Sequence, residues 1–352
     1  MTSRLAGLVC LLLAAPAAVA QTPCAADAAA LDGYLRTDYA GRDLLRGPDG
    51  ARRSVALRRT LDGARFASGA ECDRQLHAAT ALFPDGHLRV DSETPSDRVR
   101  AGERRFAPWA GETGVRFLGD SAAVIRVRSF GIEHKAAVDS MVAANAARLA
   151  ATPTLVIDVT TNGGGADMTF EALLPFVYSD PYAVEGIEVA ATPGNRAYAM
   201  GVASDDGVNE DVRAFYLALA DRLAAAGGAF VPMFDETDLT VDLGAPLPMP
   251  RAVAVLTDAA TASSAEEFVL MARESDKVTV VGTATYGALD YSNLREVPLP
   301  SGARVLNLPM TRRTWLPERS VDAAGIAPDV VVPEGTADWP AFALEVLAEQ
   351  PR

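Results

Sequence analysis

The sequence predicts an α/β protein, α+β in part, built on a mainly parallel crossover sheet with an N-terminal helical subdomain and a C-terminal hairpin. Three observations carry this. Residues 122–159 and 252–282 each run strand, helix, strand, the pattern of a crossover unit. Ahead of them, residues 25–82 repeat apolar positions at three-to-four spacing between Gly- and Pro-bearing breaks, which is a helical signature. Behind them, two strand-like segments flank Ser301-Gly302. With 352 residues, 49% of them hydrophobic, the chain has enough apolar material for one large core and a smaller satellite, and no internal repeat divides it.

In chain order, residues 1–20 read as a signal peptide. Arg4 supplies a positive end, Leu5 to Ala15 an apolar run, and Ala18-Val19-Ala20 the small residues of a cleavage site. The run falls short of the ~20 residues a spanning helix needs, no later segment qualifies, and Gln21-Thr22-Pro23 before Cys24 is not a lipidation site. The expected mature chain is therefore periplasmic or secreted, with no membrane anchor. Its two remaining cysteines, Cys24 and Cys72, are candidates for a disulfide in an oxidising compartment, with two buried thiols as the alternative. The formal charge of −14, which loss of Arg4 takes to −15, argues against nucleic acid or anionic lipid as partners.

Residues 21–90 form the expected helical subdomain, with helices over Ala25–Tyr39, Arg52–Leu61 and Glu71–Phe83, followed by the turn Pro84-Asp85-Gly86-His87. Residues 91–352 form the expected core. Within it, 91–118 reads as Arg-rich loop with short strands, and 166–250 as an insert that contains the helix Val212–Ala225 and walls a cleft. Strands are expected at 122–127, 154–159, 252–257 and 278–282, helices at 134–151 and 263–274, and the hairpin at 294–299 and 304–308.

Three segments have chemical potential. Ala252 to Thr257 runs through Thr261-Ala262-Ser263-Ser264-Ala265-Glu266-Glu267 into a helix, and such a turn exposes a Ser beside free helix N–H groups. The plainer reading is a capping box, Ser263 with Glu266 or Ser264 with Glu267. Asp158 through Asn162-Gly163-Gly164-Gly165 ends a buried strand in a loop able to present N–H groups to an anion. It lacks the Lys-Ser/Thr of a P-loop and the G-x-G-x-x-G spacing, and a tight turn is its plain alternative. His87 stands alone in a polar turn.

Taken together, Asp85-Gly86-His87, Ile157-Asp158 through Gly165, Thr261 through Glu266, Val281-Gly282-Thr283-Ala284-Thr285-Tyr286-Gly287 and Gly325-Ile326-Ala327-Pro328-Asp329 resemble peptidase family S41. That group includes C-terminal processing proteases, the tricorn core and the modules of interphotoreceptor retinoid-binding protein. The resemblance implies a ClpP/crotonase-like sheet and a serine peptidase without a metal or other cofactor, acting on polypeptide. It selects Ser263 over Ser264 as nucleophile and makes Gly164 or Gly163, with the N–H of Ser264, the oxyanion site. Processing proteases place a base Lys directly after the Thr-Phe/Tyr-Gly element, but Ala288 stands there, and Lys135 and Lys277 read as solvated charges. The tricorn-like branch implies His87 as base and Asp322, with Glu318 as understudy, as the carboxylate of a triad. Only about 34 residues separate His87 from Ser121, too few for the PDZ domain of the processing proteases. Two other functions remain compatible with these residues: a ligand-binding protein on a decayed peptidase scaffold, and a non-peptide esterase.

Overall fold

A computed structural model describes residues 23–92, 112–234, 238–322 and 324–349; the expected signal peptide and most of the Arg-rich 91–118 stretch lie outside these residues. The chain opens with three helices, α1 (Pro23–Thr37), α2 (Gly47–Ala64) and α3 (Gly69–Thr80), and a short strand β1 (Arg89–Asp91). Next come β2 (Gly114–Leu118), β3 (Ala122–Arg126), α4 (Lys135–Leu149), β4 (Thr154–Asp158) and the single turn α5 (Leu174–Val177). Residues 182–241 contribute β5 (Tyr182–Glu185), β6 (Ile187–Ala190), α6 (Pro193–Ala203), α7 (Glu210–Ala225), β7 (Phe230–Pro232) and β8 (Asp238–Val241). The chain then forms β9 (Ala252–Thr257), α8 (Ser264–Arg273), β10 (Val278–Gly282), β11 (Tyr291–Pro298), β12 (Val305–Arg313), β13 (Val330–Val331) and α9 (Trp339–Glu349).

The expected crossover sheet is present, in the order β13-β10-β9-β4-β3-β2, parallel throughout except for β2, which runs antiparallel on β3. Its central strands are buried on both faces, so they read as continuous apolar runs rather than alternating ones. Ala123, Ile125, Leu155, Ile157, Val253 and Val255 face a core shared with Val138 and Val142 of α4 and Phe268 and Val269 of α8. The intervening Val124, Val156, Ala254 and Leu256 meet Ala343 and Leu347 of α9 on the other side.

A second, antiparallel sheet runs β1-β12-β6-β7, with β11 also paired to β12. The hairpin is thus longer than the sequence suggested. Its strand β12 reaches Arg313 and takes β6, from the 166–250 segment, as a neighbour through Thr311–Arg313. Helices α1–α3 close over the hairpin, where Leu31, Leu35, Leu57 and Leu76 share a core with Val297, Leu299, Leu306 and Leu308. Cys24 of α1 and Cys72 of α3 form a disulfide, Cα atoms 5.9 Å apart. Beside it Arg304 reaches Asp27 at 3.1 Å and Asp73 at 2.6 Å, tying both helices to the hairpin turn.

Candidate active site

Parallel strands β4, β9 and β10 end on one side of the main sheet, and the crevice beyond such carboxyl ends is where α/β sheets carry their sites. Asp158↔Leu256 and Leu256↔Val281 pair across these ends, so the loops that follow emerge side by side. The loops are stitched together by hydrogen bonds. Asp258 accepts from the N–H groups of Thr161 at 2.9 Å and Thr261 at 3.0 Å, Thr261 Oγ1 donates to the Val159 carbonyl at 3.0 Å, and Ala262 N–H donates to the Asn162 carbonyl at 3.0 Å.

Ser263 is the N-cap of α8, held at φ 56 and ψ −125. A non-glycine residue in this region is strained, and such strain persists only where surrounding structure fixes it. Here the fixing group is Glu266, fully buried, whose Oε2 accepts from Ser263 N–H at 2.9 Å and Ala288 N–H at 2.8 Å. Its Oε1 accepts from Thr285 Oγ1 at 2.5 Å and Gly287 N–H at 2.8 Å. Ser263 and Glu266 therefore do share the capping bond that the plain reading expects, but the carboxylate also fastens the 285–288 segment beneath the serine. Ser264 and Glu267 form no such pair: Glu267 is turned to Arg313 in a buried ion pair. The Gly325-to-Asp329 element has a structural part. Ile326 N–H donates to Thr285 Oγ1 at 2.7 Å, and Asp329 accepts from Val280 N–H at 2.7 Å and from Arg273 at 2.6 Å.

The glycine loop lies directly on the serine turn. Gly164 has φ +89, and a Cβ added there would stand 2.8 Å from the backbone nitrogen of Ser264. Its own N–H donates to Asn162 Oδ1 at 2.9 Å, so the expectation of Gly164 as oxyanion donor does not fit: that donor is already occupied. Gly163 is exposed, and among the described residues the N–H groups of Gly163 and Ser264 have no hydrogen-bond partner.

His87 follows the turn in which Asp85 Oδ1 accepts from the N–H groups of His87 at 2.8 Å and Leu88 at 3.1 Å, while Asp85 Oδ2 accepts from the Tyr39 hydroxyl at 2.7 Å. Burial pushes the Asp85 carboxyl up to about 6 against these bonds. The turn is close to the Glu266-held segment, because a Cβ at Gly86 would lie 2.7 Å from Ala288 Cβ and 2.8 Å from the Gly287 carbonyl oxygen. The Ser263 turn, through Glu266, and the Gly86-His87 turn thus both adjoin residues 286–288.

Nδ1 of His87 lies 2.7 Å from the backbone carbonyl oxygen of Tyr291. A carbonyl only accepts, so Nδ1 carries the proton and Nε2 keeps the lone pair. Burial lowers the imidazole's affinity for a second proton, partly offset by that carbonyl. The expected bond from Asp322 to His87 is not made. Asp322 Oδ1 instead accepts from the N–H groups of Leu289 at 2.5 Å and Asp290 at 2.8 Å, and Oδ2 stands 3.4 Å from Gly86 N. Glu318 is exposed and likewise makes no bond to His87. Neither lysine reaches the site by this architecture. Lys277 precedes β10, at the far end of a five-residue strand spanning about 16 Å. Lys135 donates to Asp139 and to the Met168 carbonyl, each at 3.0 Å.

Sequence reasoning missed Tyr291, which contributes only a backbone oxygen, and the wider work of Glu266, whose capping spacing was visible but whose partners at 285–288 were not. Among the described residues no cluster of His, Cys, Asp and Glu is arranged to hold a metal ion.

The class so defined is an α/β protein with a strained serine and a glycine loop at the carboxyl ends of parallel strands. The chain belongs to peptidase family S41, whose profile matches residues 121–332. Solved structures of the same fold include mature CPAF, with a TM-score of 0.60 at 12% identity over 92% of this chain and 96% of that one. A candidate peptidase from Parabacteroides merdae gives 0.59 at 15% identity over 93% and 97%. A lipoprotein from Streptococcus agalactiae gives 0.52 at 14% identity over 97% and 100%. No curated protein matches the sequence.

Proposed function

We propose that this protein is an exported serine endopeptidase that cleaves polypeptides through an acyl-enzyme on Ser263, with His87 as general base. The observation that carries the reading is the strained Ser263 at the start of α8, with Gly164 pressed against it. In the proposed reaction Ser263 Oγ adds to the scissile carbonyl carbon as its proton passes to His87 Nε2. The carbonyl oxygen takes the negative charge and meets the N–H groups of Gly163 and Ser264, each donor of this kind being worth about 2.7–4 kcal/mol of barrier. Collapse expels the amine, which leaves with the proton from His87. Water, deprotonated by the same nitrogen, then releases the acyl group as a carboxylate.

His87 suits this role because its tautomer is fixed by the Tyr291 carbonyl and burial keeps it neutral. Export is supported by the Cys24–Cys72 disulfide together with the leader-like first 20 residues, and no helix among the described residues is long and apolar enough to cross a membrane. The test is digestion of a defined peptide library read by mass spectrometry, with Ser263→Ala as control. Internal cleavages absent in the variant support an endopeptidase. Hydrolysis of simple esters without any peptide cleavage would make the protein an esterase, and no turnover of either would favour a binding role.

A further inference from the structure

Tyr286 lies between β10 and β11 and is 57% exposed, yet its place is fixed. Its N–H donates to the Thr261 carbonyl at 2.9 Å, two residues ahead of Ser263. Its neighbours Thr285 and Gly287 are both held by Glu266 Oε1. Its ring rests on Gly86, the residue before His87, where an added Cβ would stand 2.8 Å from Cε1. Gly86 has no left-handed φ to call for glycine, so the missing side chain there serves space, and the ring takes part of that space. We propose that Tyr286 is a specificity-determining residue whose exposed ring receives an aromatic or large aliphatic side chain on the residue that follows the scissile bond. This assigns a substrate class to the Ser263 and His87 site and rests on the reading of that site given above.

The side of the scissile bond follows from the chemistry. His87 returns its proton to the departing amine, so the residue that bears this amine passes beside the imidazole. Tyr286 packs on the residue directly before His87, whereas the N–H groups that meet the carbonyl oxygen belong to Gly163 and to Ser264 at the start of α8. The side chain after the bond therefore meets the phenol ring, which offers it apolar area. A charged side chain gains less there, because the carboxylates adjoining Tyr286 already have donors. Glu266 accepts from four, and Asp85 accepts from Tyr39, His87 and Leu88. A ring held by its own backbone loses little freedom when a substrate packs on it, and aromatic pairs gain beyond the area they bury.

The experiment measures kcat/KM of full-length mature protein on two panels of quenched fluorescent peptides, built on a cleavage found in the library digest. One panel varies only the residue after the bond, through Phe, Leu, Ala, Asp and Lys; the other varies only the residue before it. Ratios between peptides are taken within each enzyme, so a variant that is partly unfolded gives the same ratio as one fully folded. The wild type should favour Phe and Leu after the bond over Ala, Asp and Lys by about tenfold or more, the scale of a few apolar carbons in a pocket. Tyr286→Ala should bring the Phe-to-Ala ratio to within about threefold of unity, and Tyr286→Phe should keep it. The ratios of the second panel should not change. A wild type without this preference, a preference for Lys, an unchanged ratio in Tyr286→Ala, or a change confined to the second panel would each overturn the inference. Labelling by a fluorophosphonate probe, with Ser263→Ala as control, is read alongside. Wild-type protein that takes no label, or label retained by Ser263→Ala, overturns the Ser263 reading itself, and label on Ser263 without any peptide cleavage overturns the peptidase reading and the inference with it. Label on Ser263 with unselective cleavage overturns the inference alone.

Discussion

Gly164 stands so close to Ser263 that a Cβ on the glycine would lie 2.7 Å from the serine Cβ and 2.5 Å from the Ala262 carbonyl oxygen. Together with φ +89, this leaves no room for any side chain. Gly164→Ala must push the loop and the serine turn apart, and a displacement near 1 Å costs about 100-fold in such sites. Gly163 has nothing within 4 Å of an added Cβ, so Gly163→Ala, which retains its N–H, should be close to wild type. Labelling rates of the two variants check the contrast; equal rates would show that the close approach has no catalytic consequence.

Glu266 is the second prediction. It accepts four hydrogen bonds in a fully buried position, from Ser263, Thr285, Gly287 and Ala288. Glu266→Ala leaves those donors unpaired at about 1–3 kcal/mol each, and the loss should be at least ~3 kcal/mol after relaxation. Urea unfolding followed by far-ultraviolet circular dichroism measures it. A change below ~1 kcal/mol would mean that the four donors find water.

These two positions show what could be read before any coordinates. The crossover strands were legible because burial on both faces writes an uninterrupted apolar run, and helices α1–α3 because one apolar stripe repeats with the helical period. The serine turn was legible from Ser263 and Glu266 at capping spacing. What escaped depends on long-range contacts. A run of three glycines does not say that Asn162 takes the N–H of the second, and a backbone oxygen such as that of Tyr291 has no sequence signature. Asp322 could be recognised as a carboxylate near the histidine turn, yet its choice of Leu289 and Asp290 over His87 is a matter of geometry alone.

The pH dependence of stability follows from the two raised carboxyls. Asp85, at about 6, and Asp322, at about 8, hold their protons more tightly in the folded chain than in the unfolded one. The stability they contribute is complete below the ordinary aspartate value near ~3.9 and is lost as pH rises through about 6 and then about 8. Calorimetric Tm should therefore decline from mildly acidic pH to about 8, and Asp322→Asn should remove the part of that decline between about 6 and 8. An unchanged profile in the variant would contradict the assignment.

Activity should show the opposite slope at its acid limb. Burial lowers the His87 value, so the labelling rate should rise with pH through a midpoint below the ordinary ~6.5. His87→Ala should abolish the limb along with nearly all reactivity, whereas Lys135→Ala and Lys277→Ala should leave both intact.

Reduction tests the N-terminal clamp. The Cys24–Cys72 bond and the Arg304 bridge to Asp27 and Asp73 hold the same two helices onto the hairpin. Replacing both cysteines by serine should cost about 2–5 kcal/mol in urea unfolding. Intact mass of unreduced, exported protein should be lighter than the reduced form by two hydrogens.

The central claim, that Ser263 is the nucleophile of a peptidase site completed by His87, is tested most directly by mapping a fluorophosphonate adduct on the full-length mature protein. The account predicts a single phosphonylated residue, Ser263, with labelling lost in Ser263→Ala and nearly lost in folded His87→Ala. An adduct on Ser264 or elsewhere, or undiminished labelling of His87→Ala, would contradict it.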